Sequence, residues 1–176
     1  IDIVFLDLAK AFDTVPHQRL LVKLQNYGVN GRVLEWIGQF LVNRRQRVVV
    51  NGSFSGWTEV RSGVPQGSVL GPALFICYIN DLPEVVSSFV YMYADDTKIF
   101  RRVDNIQEVR ALQKDLDQLA EWTQQWQLRL NTDKCKVMHM GGIRNGEAKY
   151  KMEGVVNKVM DTLQVTAEEK DLGVWI

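Results

Sequence analysis

The sequence predicts an α+β fold: an antiparallel sheet of the split β-α-β type, with helices on one face. Three observations predict it. An almost wholly apolar run, Ile1 to Leu8, opens the chain as a strand covered on both faces. Phe89 to Phe100 reads as two β-favouring arms around a tight polar turn, hence a hairpin. Between and after these lie stretches of helical period, so strands and helices follow one another as β, α, α, β-hairpin, α, β-hairpin, α, β.

A length of 176 residues accommodates one domain with a real core, residues 1–176, and both ends read as cut from something longer. Lys+Arg and Asp+Glu are each 21, so any polyanion partner must be met by local patches and not by net charge. Cys77 and Cys135 lack metal-ligand spacing and imply no disulfide framework, which favours a reducing compartment. No run of about 18 apolar residues is present, so no membrane partner is expected.

Asp7 interrupts the first strand, and a carboxylate at the end of a buried strand is costly unless it is paired or used. Ala9 to Pro16 is a loop or short turn, and Pro16 is placed to open a helix carrying Leu20, Leu21 and Leu24 up to Gly28. A second helix runs from about Gly31 to Val42, with Val33, Trp36, Ile37 and Phe40 at helical spacing. Both helices read as core elements. Arg44, Arg45 and Arg47 precede an Asn51-Gly52 hairpin, either as phosphate contacts or as a solvated edge.

Arg61 to Pro72 is the least ordinary loop. Three glycines and two prolines surround Gln66, which fits a ligand-facing backbone better than simple punctuation. A buried helix follows Pro72 and ends near Asp81-Leu82-Pro83. Ile106 to Trp126 is one long amphipathic helix, Asn131 to Asp133 a turn into another strand, and Gly141 to Gly154 a polar loop. Lys170 to Trp175 begins a last strand, and the isolated His17 and His139 read as non-ligands.

Adjacent Asp95 and Asp96 at a hairpin tip are either an ordinary polar turn or half of a cation site. In a split β-α-β sheet, Asp7 can converge on them. Three carboxylates suit two divalent ions about 3.5–4 Å apart, which clamp the attacking and leaving oxygens of phosphoryl transfer.

These residues carry a resemblance. Phe5 to Asp13, Ser62 to Pro72, Tyr93 to Asp96, Leu130 to Lys134 and Asp171 to Val174 resemble, in order, motifs A to E of the reverse transcriptase domain of non-LTR (LINE-type, jockey-like) retrotransposons. The resemblance spans nearly the whole chain. It implies a polymerase palm with a ferredoxin-like sheet and part of the fingers. It further implies RNA-templated DNA synthesis, adding dNTPs to a primer 3′-hydroxyl.

Carried over, Asp7, Asp95 and Asp96 would hold two Mg²⁺ ions (Mn²⁺ being a substitute), with the Leu8 carbonyl helping. Phe12 would be the bulky gate that clashes with a ribose 2′-hydroxyl. Gln66 and Gly67 would meet the templating position and the incoming nucleotide, Tyr93 the primer end. Lys134 would be the general acid for pyrophosphate.

The partners implied are an RNA template, a DNA primer and dNTPs, in the nucleus or cytoplasm. The family's remaining fingers, thumb and endonuclease regions are missing from this sequence, so little activity is expected of it alone. A reading from another class is a remnant that folds or binds nucleic acid without turnover. RNA-templated RNA synthesis is disfavoured by the size of Phe12.

Overall fold

The computed structural model describes residues 1–141, 148–153 and 160–176. The chain forms two compact units: Ile1–Ala9 with Asp81–Ile176, and the intervening Lys10–Asn80.

The first unit begins with β1 (Asp2–Leu6), whose residues are all buried or half-buried, as an apolar strand covered on both faces must be. The second unit follows with the short α1 (Ala11–Thr14), α2 (His17–Asn26) and α3 (Gly31–Leu41). Gly28, at φ +88, ends α2 as its position predicted. A ribbon comes next, made of β2 (Arg45–Gln46), β3 (Val49–Val50), β4 (Ser53–Phe54) and β5 (Thr58–Glu59). Asn51-Gly52 turns between β3 and β4, where both residues have positive φ. Helix α4 (Leu70–Ile79) closes the unit. Its buried Leu74, Phe75, Tyr78 and Ile79 join Leu20, Leu24, Ile37 and Leu41 in the core. Lys23 reaches from α2 to the Tyr78 carbonyl at 2.6 Å, which satisfies a buried ammonium.

Three expectations need correction here. Helix α3 buries Ile37 and Leu41 but exposes Val33 and Trp36, so only part of its apolar face is core. Helix α4 starts at Leu70, before Pro72, because the Ser68 hydroxyl accepts from the Gly71 N–H at 2.9 Å and caps the first turn. It is buried along one side only, Ile76 being exposed.

After a 3₁₀ turn at Leu82–Val85, the first unit resumes with β6 (Phe89–Tyr93), β7 (Asp96–Arg101) and α5 (Ile106–Gln125). The Asn105 side chain caps α5 by accepting from the Glu108 N–H, and Leu112, Leu116, Leu119 and Trp122 form its buried stripe. Asp115, buried on the same helix, accepts from the backbone N–H groups of Ser87 and Ser88 at 2.9 Å each and so fixes the entry to β6.

The remaining strands are β8 (Lys136–His139), β9 (Lys151–Glu153), β10 (Met160–Thr162), β11 (Gln164–Val165), β12 (Lys170–Asp171) and β13 (Val174–Trp175). Strand β9, flanked by buried Tyr150 and carrying buried Met152, replaces part of the predicted polar loop; residues 142–147 and 154 of that loop lie outside the described residues. β12 and β13 form a hairpin where a single strand was expected, because Leu172 and Gly173 both take positive φ and turn the chain back.

The main sheet has the order β11-β8-β1-β7-β6. β1 is antiparallel to both β7 and β8, β6 is antiparallel to β7, and β11 runs parallel to β8. Val137, Val4 and Ile99 lie side by side across three strands, and all are fully buried.

Candidate active site

Asp7 follows the last residue of β1, and the local backbone holds it firmly. Its carbonyl accepts from the Asn131 N–H at 2.8 Å, and its own N–H donates to the buried Cys135 sulfur at 3.4 Å. The Ala9 N–H donates to the Arg129 carbonyl at 2.7 Å, completing a single bridge between Leu8 and Leu130. Both flanking bonds come from Asp7 and Ala9, so the Leu8 carbonyl takes part in neither.

Register brings the acids together. Leu6 faces Thr97, so Asp7 and Asp96 stand next to each other at the same end of neighbouring strands and on the same face. The hairpin turn is Ala94-Asp95, with Tyr93 paired to Asp96 and Ala94 at φ +54; Asp96 is therefore the first residue of β7 and not the tip. Burial first, then the charges of Asp95, Asp171 and Asp7, push the Asp96 carboxyl above its ordinary range. Lys134 approaches Asp7 at 4.0 Å and is largely exposed.

A cleft of about 300 Å³ opens on this face, lined by Asp7, Tyr93, Asp96, Lys98, Lys134 and Asp171 among others. Among the described residues, no three His, Cys, Asp or Glu side chains lie close enough to hold one ion between them. A mutually repelling set of carboxylate oxygens nonetheless suits a hard cation that takes one or two protein carboxylates and completes its shell with phosphate and water.

The other predicted site residues belong to the second unit. The ring of Phe12 is half-buried and stacks on Phe75 with centroids 4.4 Å apart. Gln66 donates from Nε2 to the Asp13 carboxylate at 3.1 Å, which leaves its amide oxygen for another partner. Gly67 has φ +81 and open space where a β-carbon would lie. Gly63, in the same loop, is pressed against the backbone of Phe12 and Asp13, and Val64 N–H bonds the Phe12 carbonyl at 2.8 Å. The loop holding Gln66 and the turn holding Phe12 are thus locked together.

Comparison with known proteins shows the family. The family model for reverse transcriptase (RNA-dependent DNA polymerase) matches residues 2–174. The chain belongs to the reverse transcriptase family. It is 36% identical over 140 residues to the RNA-directed DNA polymerase from mobile element jockey of Drosophila melanogaster, covering 74% of this chain and 15% of that protein. It is 35% identical over 190 residues to a probable RNA-directed DNA polymerase from transposon BS of the same organism, covering 98% of this chain and 20% of that protein. A third relative, the probable RNA-directed DNA polymerase from transposon X-element, is 30% identical over 137 residues, covering 74% of this chain and 15% of that protein. These relatives are non-LTR elements, as the motifs implied. The chain spans a fifth or less of the length of each of them.

Two residues lining this cleft were not singled out from sequence. Lys98 lies two positions after Asp96 and so on the same face of β7, which strand alternation alone could have shown. It forms an ion pair with Asp171. Asp171 lies within the last of the five motifs, yet no local pattern marks it as facing the cleft. The three arginines also divide. Arg44 turns inward, donating to the Leu41 and Gly63 carbonyls at 2.9 and 2.6 Å, where the Gly63 carbonyl also meets His17 Nε2 at 2.9 Å. Arg45 and Arg47 stay on the exposed ribbon.

Proposed function

We propose that this chain is the palm and part of the fingers of a longer polymerase that copies RNA into DNA. It would add dNTPs to a primer 3′-hydroxyl. The observation that carries the reading is the convergence of Asp7 and Asp96 from neighbouring strand ends, with Asp95 and Asp171 close enough to raise the Asp96 carboxyl. The strand order β8-β1-β7-β6 and its directions support a split β-α-β palm, with β7 between the parallel β1 and β6.

Reverse transcriptases use divalent metal ions. In this reading Asp7, Asp95 and Asp96 hold two Mg²⁺ ions, with the Leu8 carbonyl as a further ligand. Bound there, the metal would acidify the primer hydroxyl and offset charge on the phosphate in flight. Tyr93, exposed at the end of β6, lies against the primer terminus. Lys134 is free enough to swing towards pyrophosphate and donate its proton as that group leaves. Gln66 and Gly67 meet the templating base and the incoming nucleotide, and Phe12 excludes a 2′-hydroxyl by clash.

Asp95→Asn in the complete polymerase tests the reading. Primer extension with Mg²⁺ should fall to background while the protein stays folded; wild-type extension would overturn it. The alternative reading is a fold that binds nucleic acid without turnover. Extension by the wild-type polymerase excludes that reading.

A further inference from the structure

From Arg45 to Glu59 the chain forms a two-stranded ribbon in which every residue is exposed. Arg45 faces Glu59 and Gln46 faces Thr58; further out, Val49 faces Phe54 and Val50 faces Ser53. Such a ribbon has no core of its own and is marginal in water. Yet it carries Phe54 and Trp57, each more than half exposed.

The rings do not stand alone. The Arg47 guanidinium lies 4.2 Å from the Phe54 ring centre and 4.6 Å from that of Trp57, and the Arg45 guanidinium lies 5.9 Å from Trp57. Phe54, Arg47, Trp57 and Arg45 therefore form an alternating series of flat apolar and flat cationic groups. Among the described residues neither arginine is paired with a carboxylate, because Glu59 is taken by Arg61 at 3.5 Å. In a chain whose charges balance overall, this is a local excess of positive charge.

We propose that this ribbon binds single-stranded RNA, with unpaired bases stacking on Trp57 and Phe54 and adjacent phosphates meeting Arg45 and Arg47. Aromatic faces take any base, and a guanidinium already stacked on a ring keeps its N–H edge free to fork onto a phosphate. A duplex hides its base faces and could use only the charges. The choice of RNA over DNA rests on the RNA-copying reading; the rest of the proposal does not.

The test is a tryptophan-fluorescence titration of the 176-residue chain with a short unstructured RNA, repeated across salt concentrations. Binding should quench emission, and Trp57→Leu should weaken it by about tenfold or more, with Trp57→Phe recovering most of the loss. Arg45→Gln with Arg47→Gln should lower the slope of log affinity against log salt by about 1.4. Restoring both as lysine should recover the slope but not the full affinity. Lys114→Gln, on α5, should change nothing, and melting curves of the ribbon variants should match wild type because no buried contact is lost.

Wild-type affinity and slope in the double arginine variant would overturn the ribbon assignment alone. Equal binding of duplex RNA, or equal competition by an acidic peptide, would overturn the stacking. Tighter binding of DNA of the same sequence would overturn the choice of RNA. A wild-type chain that binds no RNA would overturn the proposal and leave the RNA-copying reading standing, since primer extension by the complete polymerase tests that separately.

Discussion

A β-carbon on Gly63 would lie 2.7 Å from both the Cα and the carbonyl oxygen of Asp13. No side chain fits there, and the φ of +86 is unfavourable for any L residue besides. Gly63→Ala should therefore cost about 3 kcal/mol or more, combining overpacking against backbone with strain. Gly67→Ala, at a similar φ but facing open space, should cost only about 1–2 kcal/mol. Urea melts of the two variants decide it, and equal losses would mean that the close approach has no energetic weight.

Asp96 gives a pH dependence with a definite sign. Its folded-state carboxyl titrates above the unfolded one, through burial and then through Asp95, Asp171 and Asp7, so the folded state binds the proton more tightly. The destabilisation is complete above the raised value and fades as pH falls through it towards the ordinary carboxylate value. Asp96→Asn should accordingly melt higher than wild type at neutral pH, with the gap closing below about pH 4. A gap that widens on acidification would reverse the assignment.

Phe12 distinguishes a substrate gate from a packing residue. Truncation removes a stack on Phe75 worth about 0.5–1.5 kcal/mol beyond its buried area, which a half-buried ring can lose without unfolding the unit. In the complete polymerase, Phe12→Val should raise ribonucleotide use relative to deoxynucleotide use by about 10²-fold. Matched incorporation assays with a melting curve would show it. An unchanged ratio in a folded, active variant removes Phe12 from the site.

Cys135 is fully buried, and desolvation pushes its thiol up to about 11, outweighing the Asp7 N–H that favours the thiolate. Alkylation at pH 8 should label the half-exposed Cys77 in the native chain and reach Cys135 only after denaturation. Because the unfolded thiol ionises first, stability should also decline as pH rises from about 8.5 towards 11. Equal labelling of both cysteines under native conditions would contradict the burial.

Much of this was legible in the residues, and the exceptions have physical causes. The run from Ile1 to Leu8 and the stripe of α5 are long and strongly periodic, so each could be placed from sequence alone. Asp7 stood out because a carboxylate breaks an apolar run. Ser68 did not, because Pro72 is the louder helix signal although the Ser68 hydroxyl makes the cap. Tyr150 and Met152 were hidden inside a glycine-rich, polar stretch whose average says loop. The Lys98–Asp171 pair was invisible, since nothing local links positions 73 apart.

The central position of β1 sets an order of events. Its partner on one side comes from β7 and on the other from β8, and Asp2 meets His139 across 137 positions of chain. Lys10–Asn80, a compact unit of its own, lies between β1 and both of these partners in the chain. During synthesis from the N-terminus, Asp2–Leu6 is made before either of its partners and cannot pair in this sheet until Asp96–Arg101 and then Lys136–His139 have followed. Such high contact order implies slow maturation of the sheet and a period in which a bare apolar strand is open to chaperones or to misassembly.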